Sequence, residues 1–189
     1  MDPSLPLLRQ KVAECRRCGL CQTRQNAVFG VGDETAKILF VGEAPGRRED
    51  ELGEPFVGDS GKLLDLYLGS IGLDRSKGIF IANILKCRPP MNRDPEPDEI
   101  AACLPHLRAL YKALDPKIVV CVGRIAAKTL IDPEFRVTRE HGVWRQKAGV
   151  WFMGTYHPSA LLRDPSKRGD CLSDFFSIEE KMKELGLRE

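Results

Sequence analysis

Three short, largely apolar runs constrain the fold of this chain more than any other feature. They are Ile38-Leu39-Phe40-Val41, a run over residues 78–85 and a run over residues 117–123. Apolar runs of this length, bounded by turn residues, are typical of strands that are buried on both faces of a parallel sheet. Helix-like patterns separate them at residues 60–71, 97–114 and 124–131, and others precede and follow them at residues 5–13 and 172–185. Alternating strands and helices predict an α/β domain.

The remaining segments refine this prediction. Residues 29–33 contain two glycines and are predicted to form a turn, whereas residues 142–153 resemble a hairpin or two edge strands. Residues 86–99 are polar and rich in proline, and loops of that length are usually functional or disordered. We therefore predict a three-layer α/β/α fold around a central, mostly parallel four-stranded sheet, in a single domain over residues 1–189.

Composition excludes some classes of protein. A net charge of +2 leaves no global basic field, so any nucleic-acid site must be a local patch. No segment approaches the roughly 18 apolar residues of a membrane span. The opening Met1-Asp2-Pro3-Ser4-Leu5-Pro6 has neither the basic nor the apolar region of a secretory signal. We expect a cytoplasmic protein without membrane contact.

The loop after the first apolar run is the first candidate functional element. It reads Gly42-Glu43-Ala44-Pro45-Gly46. Glycines beside a proline at the carboxyl end of a strand form a tight loop whose backbone N–H groups can face a ligand. Ligands of open α/β sheets bind at this edge. We therefore expect Asn83, near the end of the second run, and the turn His157-Pro158-Ser159 to meet this loop.

The cysteines are the strongest chemical signal. Seven cysteines in a cytosolic-looking chain favour a metal site or buried thiols over a disulfide framework. Four of them suit zinc or an iron–sulfur cluster, and their spacing does not choose between the two: Cys15, Cys18, Cys87 and Cys103. Cys18-x2-Cys21 is an equally good pair. Two others have no such pattern: Cys121, inside an apolar run, and Cys171, near the last helix.

Several residues near the loop allow both a structural and a functional interpretation. Asn83 is either a satisfied amide at a strand end or a group that recognises a base, because one carboxamide both donates and accepts. Phe56 is either a core residue or a platform on which a flat ligand stacks. Leu161 and Leu162 are either core residues or an exposed wedge, and nearby Arg163 would suit a phosphate.

Taken together, four motifs resemble the family-4, iron–sulfur branch of the uracil-DNA glycosylases. The resemblance extends from Cys15 to the last helix. The motifs are Gly42-Glu43-Ala44-Pro45-Gly46, Pro55-Phe56-Val57-Gly58, Asn83-Ile84-Leu85-Lys86-Cys87-Arg88-Pro89-Pro90 and His157-Pro158-Ser159-Ala160-Leu161-Leu162-Arg163.

The resemblance implies a role for each matching residue. A [4Fe-4S] cluster would be held by Cys15, Cys18, Cys87 and Cys103. Phe56 would stack on a uracil flipped out of DNA, Asn83 would bond its O4 and N3, and His157 would donate to O2. Backbone groups of Gly42, Glu43 and Ala44 would line the pocket. Leu161 matches the intercalating wedge with Leu162 as its neighbour, and Ser159 and Arg163 would grip the DNA backbone.

One position departs from the best-studied branch of that superfamily. Ala44 stands where an aspartate positions the attacking water, as the family-4 pattern expects. Glu43 could orient the water or only brace the loop, and Glu49 and Asp50 are further candidates. The implied reaction is hydrolysis of the N-glycosidic bond by a monomer, with release of uracil and turnover.

Two other classes of protein remain as alternatives. A non-catalytic iron–sulfur module would bind DNA without releasing a base. A small electron-transfer or nucleotide-binding protein would use the glycine loop for phosphate, but the chain lacks the lysine and hydroxyl residue of a Walker loop. That alternative also leaves Asn83, Phe56 and His157 unexplained.

Overall fold

The structure is a computed structural model that describes residues 4–188. The first three residues of the opening segment, on which the expectation of no secretory signal partly depends, lie outside the described residues. Within residues 4–188, no helix is both long enough and apolar enough to cross a membrane.

A mixed sheet of six strands runs through the molecule in the order β1-β3-β2-β4-β6-β5. The strands are β1 (Val31–Gly32), β2 (Ile38–Gly42), β3 (Ile79–Asn83), β4 (Ile118–Val122), β5 (Trp144–Lys147) and β6 (Val150–Thr155). The four inner strands are parallel, and the two edge strands are antiparallel to their neighbours. The α/β class is therefore confirmed.

The sheet has six strands where four were predicted, and its edge strands are β1 and β5. Val31 and Gly32 pair with β3, although residues 29–33 were expected to form a turn. A two-residue strand has no alternating pattern that could distinguish it from a turn. The expected hairpin at residues 142–153 is confirmed as β5 and β6.

Helices cover both faces of the sheet. They are α1 (Leu5–Ala13), α2 (Arg47–Leu52), α3 (Asp59–Ser70), α4 (Pro97–Leu114), α5 (Arg124–Leu130), α6 (Val137–Glu140), α7 (Pro158–Arg163) and α8 (Arg168–Glu184). Side chains of α1, α4 and α5 form one apolar core with one face of the inner strands, and side chains of α3, α7 and α8 form a second core with the other face. This arrangement gives the expected three layers.

The longest helix shows how local sequence sets an element's bounds. Helix α4 begins with Pro97, whose fixed φ suits the first helical position. The preceding residue, Glu96, and Glu99 in the first turn cap each other's backbone in a capping box. Helix α4 ends at Leu114, and the following residue, Asp115, adopts a left-handed conformation. The helix brings Cys103 into the core beside the loop over residues 86–99.

Candidate active site

A cleft of about 490 Å³ opens at the carboxyl edge of the inner strands. We call it the cleft, and it collects residues from the loops after β2, β3, β4 and β6. Those that the sequence pointed to are Glu43, Ala44, Glu49, Phe56, Asn83, His157, Ser159 and Arg163. The chain therefore brings together the motifs that its sequence predicted to meet at this edge.

Asn83 lines the cleft and carries an unpaired polar atom. Asn83 ends β3 and is 2% exposed, and its side-chain oxygen Oδ1 has no hydrogen-bond partner. Among the described residues it is the only buried side-chain nitrogen or oxygen in that state. An unpaired buried acceptor costs about 1–3 kcal/mol. Such a group, placed in a cleft, indicates that a ligand supplies the missing donor.

Phe56 forms one wall of the cleft and is held in an uncommon conformation. Its backbone φ is 53°, in the left-handed region that non-glycine residues seldom adopt. Arg75 stabilises this conformation by donating to the carbonyl oxygens of Pro55, at 2.8 Å, and of Phe56. The Phe56 ring stacks on the His157 ring, with centroids 5.6 Å apart and planes inclined by 30°.

Gly42 lets the polar amide and the aromatic wall approach the backbone closely. A Cβ atom at this position would lie 2.4 Å from Oδ1 of Asn83 and 2.5 Å from Cζ of Phe56. Both distances are shorter than real Cβ contacts allow, so any other residue here would displace both groups. Gly42 thus shapes the cleft through the absence of a side chain.

His157 is held in a defined neutral state. Its Nδ1 accepts a hydrogen bond from the Ser159 backbone N–H at 3.2 Å and lies 2.8 Å from the Ser159 hydroxyl oxygen. Because Nδ1 is an acceptor, the ring proton is on Nε2. Burial lowers the pKa of His157 to about 4, with a further lowering by Arg163 and an opposing effect of Glu49. The ring is therefore a neutral donor at pH 7.

Glu43 is a carboxylate of the cleft whose pKa is shifted by burial and nearby charges and by no hydrogen bond. Burial raises its pKa, nearby Asp94 raises it further, and Arg124 opposes both. Glu49 also lines the cleft, but its Oε1 already accepts backbone N–H groups of Val57 and Gly58 at 2.9 and 3.0 Å. Glu49 therefore braces the loop that carries Phe56.

Asp50 was a sequence candidate for positioning the attacking water, but it does not belong to this site. It is 3% exposed and is absent from the residues that line the cleft. One of its oxygens accepts the backbone N–H groups of Gln25 and Asn26, at 3.0 and 3.3 Å. The carboxylate thereby fastens α2 to the N-terminal segment.

The two adjacent leucines of α7 have opposite surroundings. Leu161 is 0% exposed and packs in the core shared with α3 and α8, so its expected role as an intercalating wedge is wrong. Leu162 is 42% exposed. Successive residues of a helix point about 100° apart, which is why only one of them can face the core. Leu162 is the one free to touch a partner.

A second cavity, which we call the cysteine cavity, lies beside the cleft. Its lining residues are Cys15, Arg17, Cys18, Cys21, Arg24, Lys86, Cys87, Ala102, Cys103 and His106. All four expected cysteines meet there, and Cys21 joins them. Cys121 and Cys171 lie elsewhere in the core, in β4 and α8. No three or more His, Cys, Asp or Glu side chains within residues 4–188 are close enough to hold one metal ion.

Donors face the sulfur atoms of the cysteine cavity. Arg24 Nη1 donates to Cys87 Sγ at 3.0 Å, and the Lys86 backbone N–H donates to Cys103 Sγ at 3.2 Å. His106 Nε2 lies 3.1 Å from Cys15 Sγ. Donors of this kind stabilise thiolates and orient them as metal ligands.

Sequence reasoning missed several of these supporting residues. Arg75 gave no signal, because it follows a turn and acts on carbonyl oxygens of a distant loop. His106 could have been found, since it follows Cys103 by three positions and therefore shares its helix face. Lys86 was predicted only as part of a polar loop, yet it is 2% exposed.

Comparisons with known proteins agree with this architecture. The family model of the Uracil DNA glycosylase superfamily matches residues 29–178. A type-4 uracil-DNA glycosylase of Archaeoglobus fulgidus is 46% identical over 94% of this chain and 92% of its own length. Type-4 uracil-DNA glycosylases of Sulfurisphaera tokodaii and Thermotoga maritima are 44% and 38% identical, over 94% and 96% of this chain and 84% and 96% of their own. The chain therefore belongs to the uracil DNA glycosylase superfamily and to its type-4 branch.

Proposed function

We propose that this chain is a monofunctional uracil-DNA glycosylase that hydrolyses the N-glycosidic bond of uracil in DNA. The observation that carries the proposal is the buried, unpaired Oδ1 of Asn83 in a cleft beside an aromatic wall. Uracil offers an N3–H donor for this oxygen and an O4 acceptor for the amide's N–H groups. The type-4 relatives support the same activity.

The base must leave the helical stack before it can enter the cleft, at a cost of a few kcal/mol. Phe56 would offset part of this cost by stacking on the flipped ring. Asn83 would then bond the polar edge of the base. Because Asn83 and Phe56 are both held against Gly42, the stacking surface and the amide are arranged before the substrate arrives.

Cleavage of the bond leaves negative charge on uracil and positive charge on the sugar. Neutral His157, with its proton on Nε2, would donate to O2 as the charge develops there. An oriented donor of this kind contributes about 2.7–4 kcal/mol in comparable anion sites. Ser159 keeps the histidine in the required tautomer through its hydrogen bonds to Nδ1.

Water must then attack the sugar carbon C1′. We assign Glu43 to orient this water, because its carboxylate is in the cleft and no hydrogen bond contributes to the shift of its pKa. Glu49 is occupied by two backbone donors and is a brace. The absence of an aspartate at Ala44 is compatible with a reaction that depends chiefly on stabilising the uracil anion.

On the DNA side, Leu162 would enter the gap that the flipped base leaves, since apolar side chains commonly wedge between base steps. Ser159 and Arg163 line the same cleft and would contact the backbone phosphates. We expect the protein to act as a monomer. We also propose a cytoplasmic location, because seven cysteines without a disulfide framework suit a compartment where thiols stay reduced.

We further propose that the cysteine cavity holds a [4Fe-4S] cluster through Cys15, Cys18, Cys87 and Cys103. The four sulfurs line one cavity without converging on a single ion, which suits a multi-iron cluster better than one metal. When bound, the cluster supplies four iron–thiolate bonds that fasten the N-terminal segment and the loop over residues 86–99 to α4, which couples its binding to folding.

Cysteine variants test the cluster assignment. Cys87→Ser should lose the brown visible absorbance and unfold at lower temperature. Cys121→Ser, a matched control whose thiol is buried in β4, should keep the full colour, and so should Cys21→Ser. A brown, fully stable Cys87→Ser protein would contradict the assignment.

The activity itself is tested by base release. The purified protein is incubated with a labelled duplex that contains one uracil opposite guanine, the product is cleaved with alkali, and a duplex with thymine opposite guanine serves as the control. Cleavage of the uracil strand alone is expected. Retention of DNA by a brown protein without cleavage would favour the non-catalytic binding module.

A further inference from the structure

Within residues 4–188, Lys86 is the only buried lysine. It lies between the two sites, three positions after Asn83 and next to Cys87. No carboxylate pairs with it within residues 4–188. Its ammonium instead donates to two backbone carbonyl oxygens, that of Asn83 at 2.9 Å and that of Phe29 at 3.1 Å.

A buried ammonium is costly, so packing alone does not explain this residue. Transfer of a charge into the protein interior is unfavourable unless hydrogen bonds or opposite charge compensate it. An apolar side chain of the same length, such as methionine, would fill the space without that cost. What methionine lacks is the ability to tie the Asn83 carbonyl to a second segment.

The main chain around Lys86 adds to this connection. The Lys86 N–H donates to Cys103 Sγ at 3.2 Å, and its carbonyl oxygen accepts from the Val28 N–H at 2.7 Å. The two residues between Asn83 and Lys86 bond the glycine loop, Ile84 N–H to the Gly42 carbonyl at 2.9 Å and Leu85 N–H to the Glu43 carbonyl at 3.0 Å. The segment is thus bonded to the cleft on one side and to the cysteine cavity on the other.

We propose that Lys86 is a positioning residue for base recognition: its ammonium fixes the main chain of Asn83 from the side of the cysteine cavity and so sets where the amide meets uracil. Before substrate arrives, the side-chain oxygen of Asn83 packs against Gly42 but makes no hydrogen bond that would fix its direction. Its backbone must therefore carry the orientation. A misplacement of about 1 Å in a catalytic group can lower a rate about 100-fold.

A double-mutant cycle tests this inference, which rests on the proposed uracil release. Uracil release is measured with enzyme in excess for the wild type, Lys86→Met, Asn83→Ala and the double variant, all with the cluster loaded. Lys86→Met should lower the single-turnover rate about 10- to 100-fold. In the Asn83→Ala background the same change should cost less than about twofold, because residues that act through one another are not additive.

The controls separate a positioning role from a purely structural one. Visible absorbance and the free energy of unfolding are measured for every variant, and Lys62→Met, a matched change on the exposed face of α3, should leave the rate unchanged. If Lys86→Met does not retain the cluster, Lys86→Leu, which also lacks the donor, replaces it in the cycle.

Two results would overturn the inference: a wild-type rate for the Lys86 variant, or equal fold-losses in the two backgrounds. An inactive wild type would instead refute the proposed function, and the two failures are therefore distinguishable.

Discussion

Replacing Asn83 by alanine should leave the free energy of unfolding nearly unchanged and strongly reduce uracil release. In the wild type its Oδ1 is buried without a partner, which costs the folded protein about 1–3 kcal/mol. Alanine removes this cost but leaves a small cavity, whose penalty is of similar size for a few deleted atoms. The two effects oppose each other, so we expect the free energy of unfolding to stay within about 1 kcal/mol of the wild-type value.

The effect on catalysis should be large. In the proposed complex the amide would make one neutral bond to the base, worth about 1 kcal/mol, and one bond to an oxygen that shares the developing negative charge, worth about 1.5–3 kcal/mol. Their sum is about 2.5–4 kcal/mol. Since each 1.36 kcal/mol is a factor of ten in rate, uracil release should fall about 10²- to 10³-fold.

Single-turnover gels with uracil DNA and urea denaturation provide the two measurements. Asn26→Ala is the matched control, because Asn26 Nδ2 is paired with the carbonyl oxygens of Asp50 and Glu51 at 2.7 and 3.2 Å, away from the cleft. It should lose about 1 kcal/mol of stability and keep its activity within about threefold. Full activity of Asn83→Ala, or its unfolding under conditions where Asn26→Ala remains folded, would refute this reasoning.

Three further expectations follow from the geometry. Gly42→Ala should lower the free energy of unfolding by about 1–3 kcal/mol and nearly abolish uracil release, because its Cβ would displace the Asn83 amide and the Phe56 ring. The control Gly69→Ala, which has open space around it, should be neutral or stabilising. Equal behaviour of the two variants in thermal melts and activity gels would contradict this. Leu161→Ala should lower the free energy of unfolding by about 2–5 kcal/mol, because Leu161 is buried. Leu162→Ala should instead lose more activity on duplex than on single-stranded uracil DNA. The reverse pattern would restore Leu161 as the wedge. Folding lowers the pKa of His157 from about 6.5 to about 4, so the unfolded chain binds more protons between these values. Stability should therefore fall as the pH drops from 7 to 5, by up to about 2 kcal/mol, and His157→Gln should lose that part of the pH dependence in urea titrations; an unchanged dependence would show that the histidine is not buried as a neutral ring.

The inner sheet was predictable because its strands are buried on both faces. An apolar run such as Ile38-Leu39-Phe40-Val41 needs no knowledge of its neighbours to be read as such a strand. The outer strands lacked this signal. Val31 and Gly32 are too few to show a period, and β5 carries Arg145 and Lys147 on an edge where one side meets solvent.

The site was predictable only to the level of which motifs meet. The order of strands and loops placed Asn83 and His157 at one edge, but the choice between Leu161 and Leu162 depended on the rotation of α7, which adjacent leucines do not reveal. The burial of Lys86 was also beyond the sequence. It depends on the carbonyl of Phe29, 57 positions away, and no local pattern encodes such a contact.

A crystal structure of the cluster-loaded protein with free uracil would test the central claim most directly. We expect uracil in the cleft with its ring against Phe56 and its N3 about 2.7–3.2 Å from Oδ1 of Asn83, which would satisfy the unpaired oxygen. His157 Nε2 should lie within hydrogen-bond distance of O2. Uracil bound elsewhere, or bound in the cleft with Oδ1 of Asn83 still unpaired, would contradict the account.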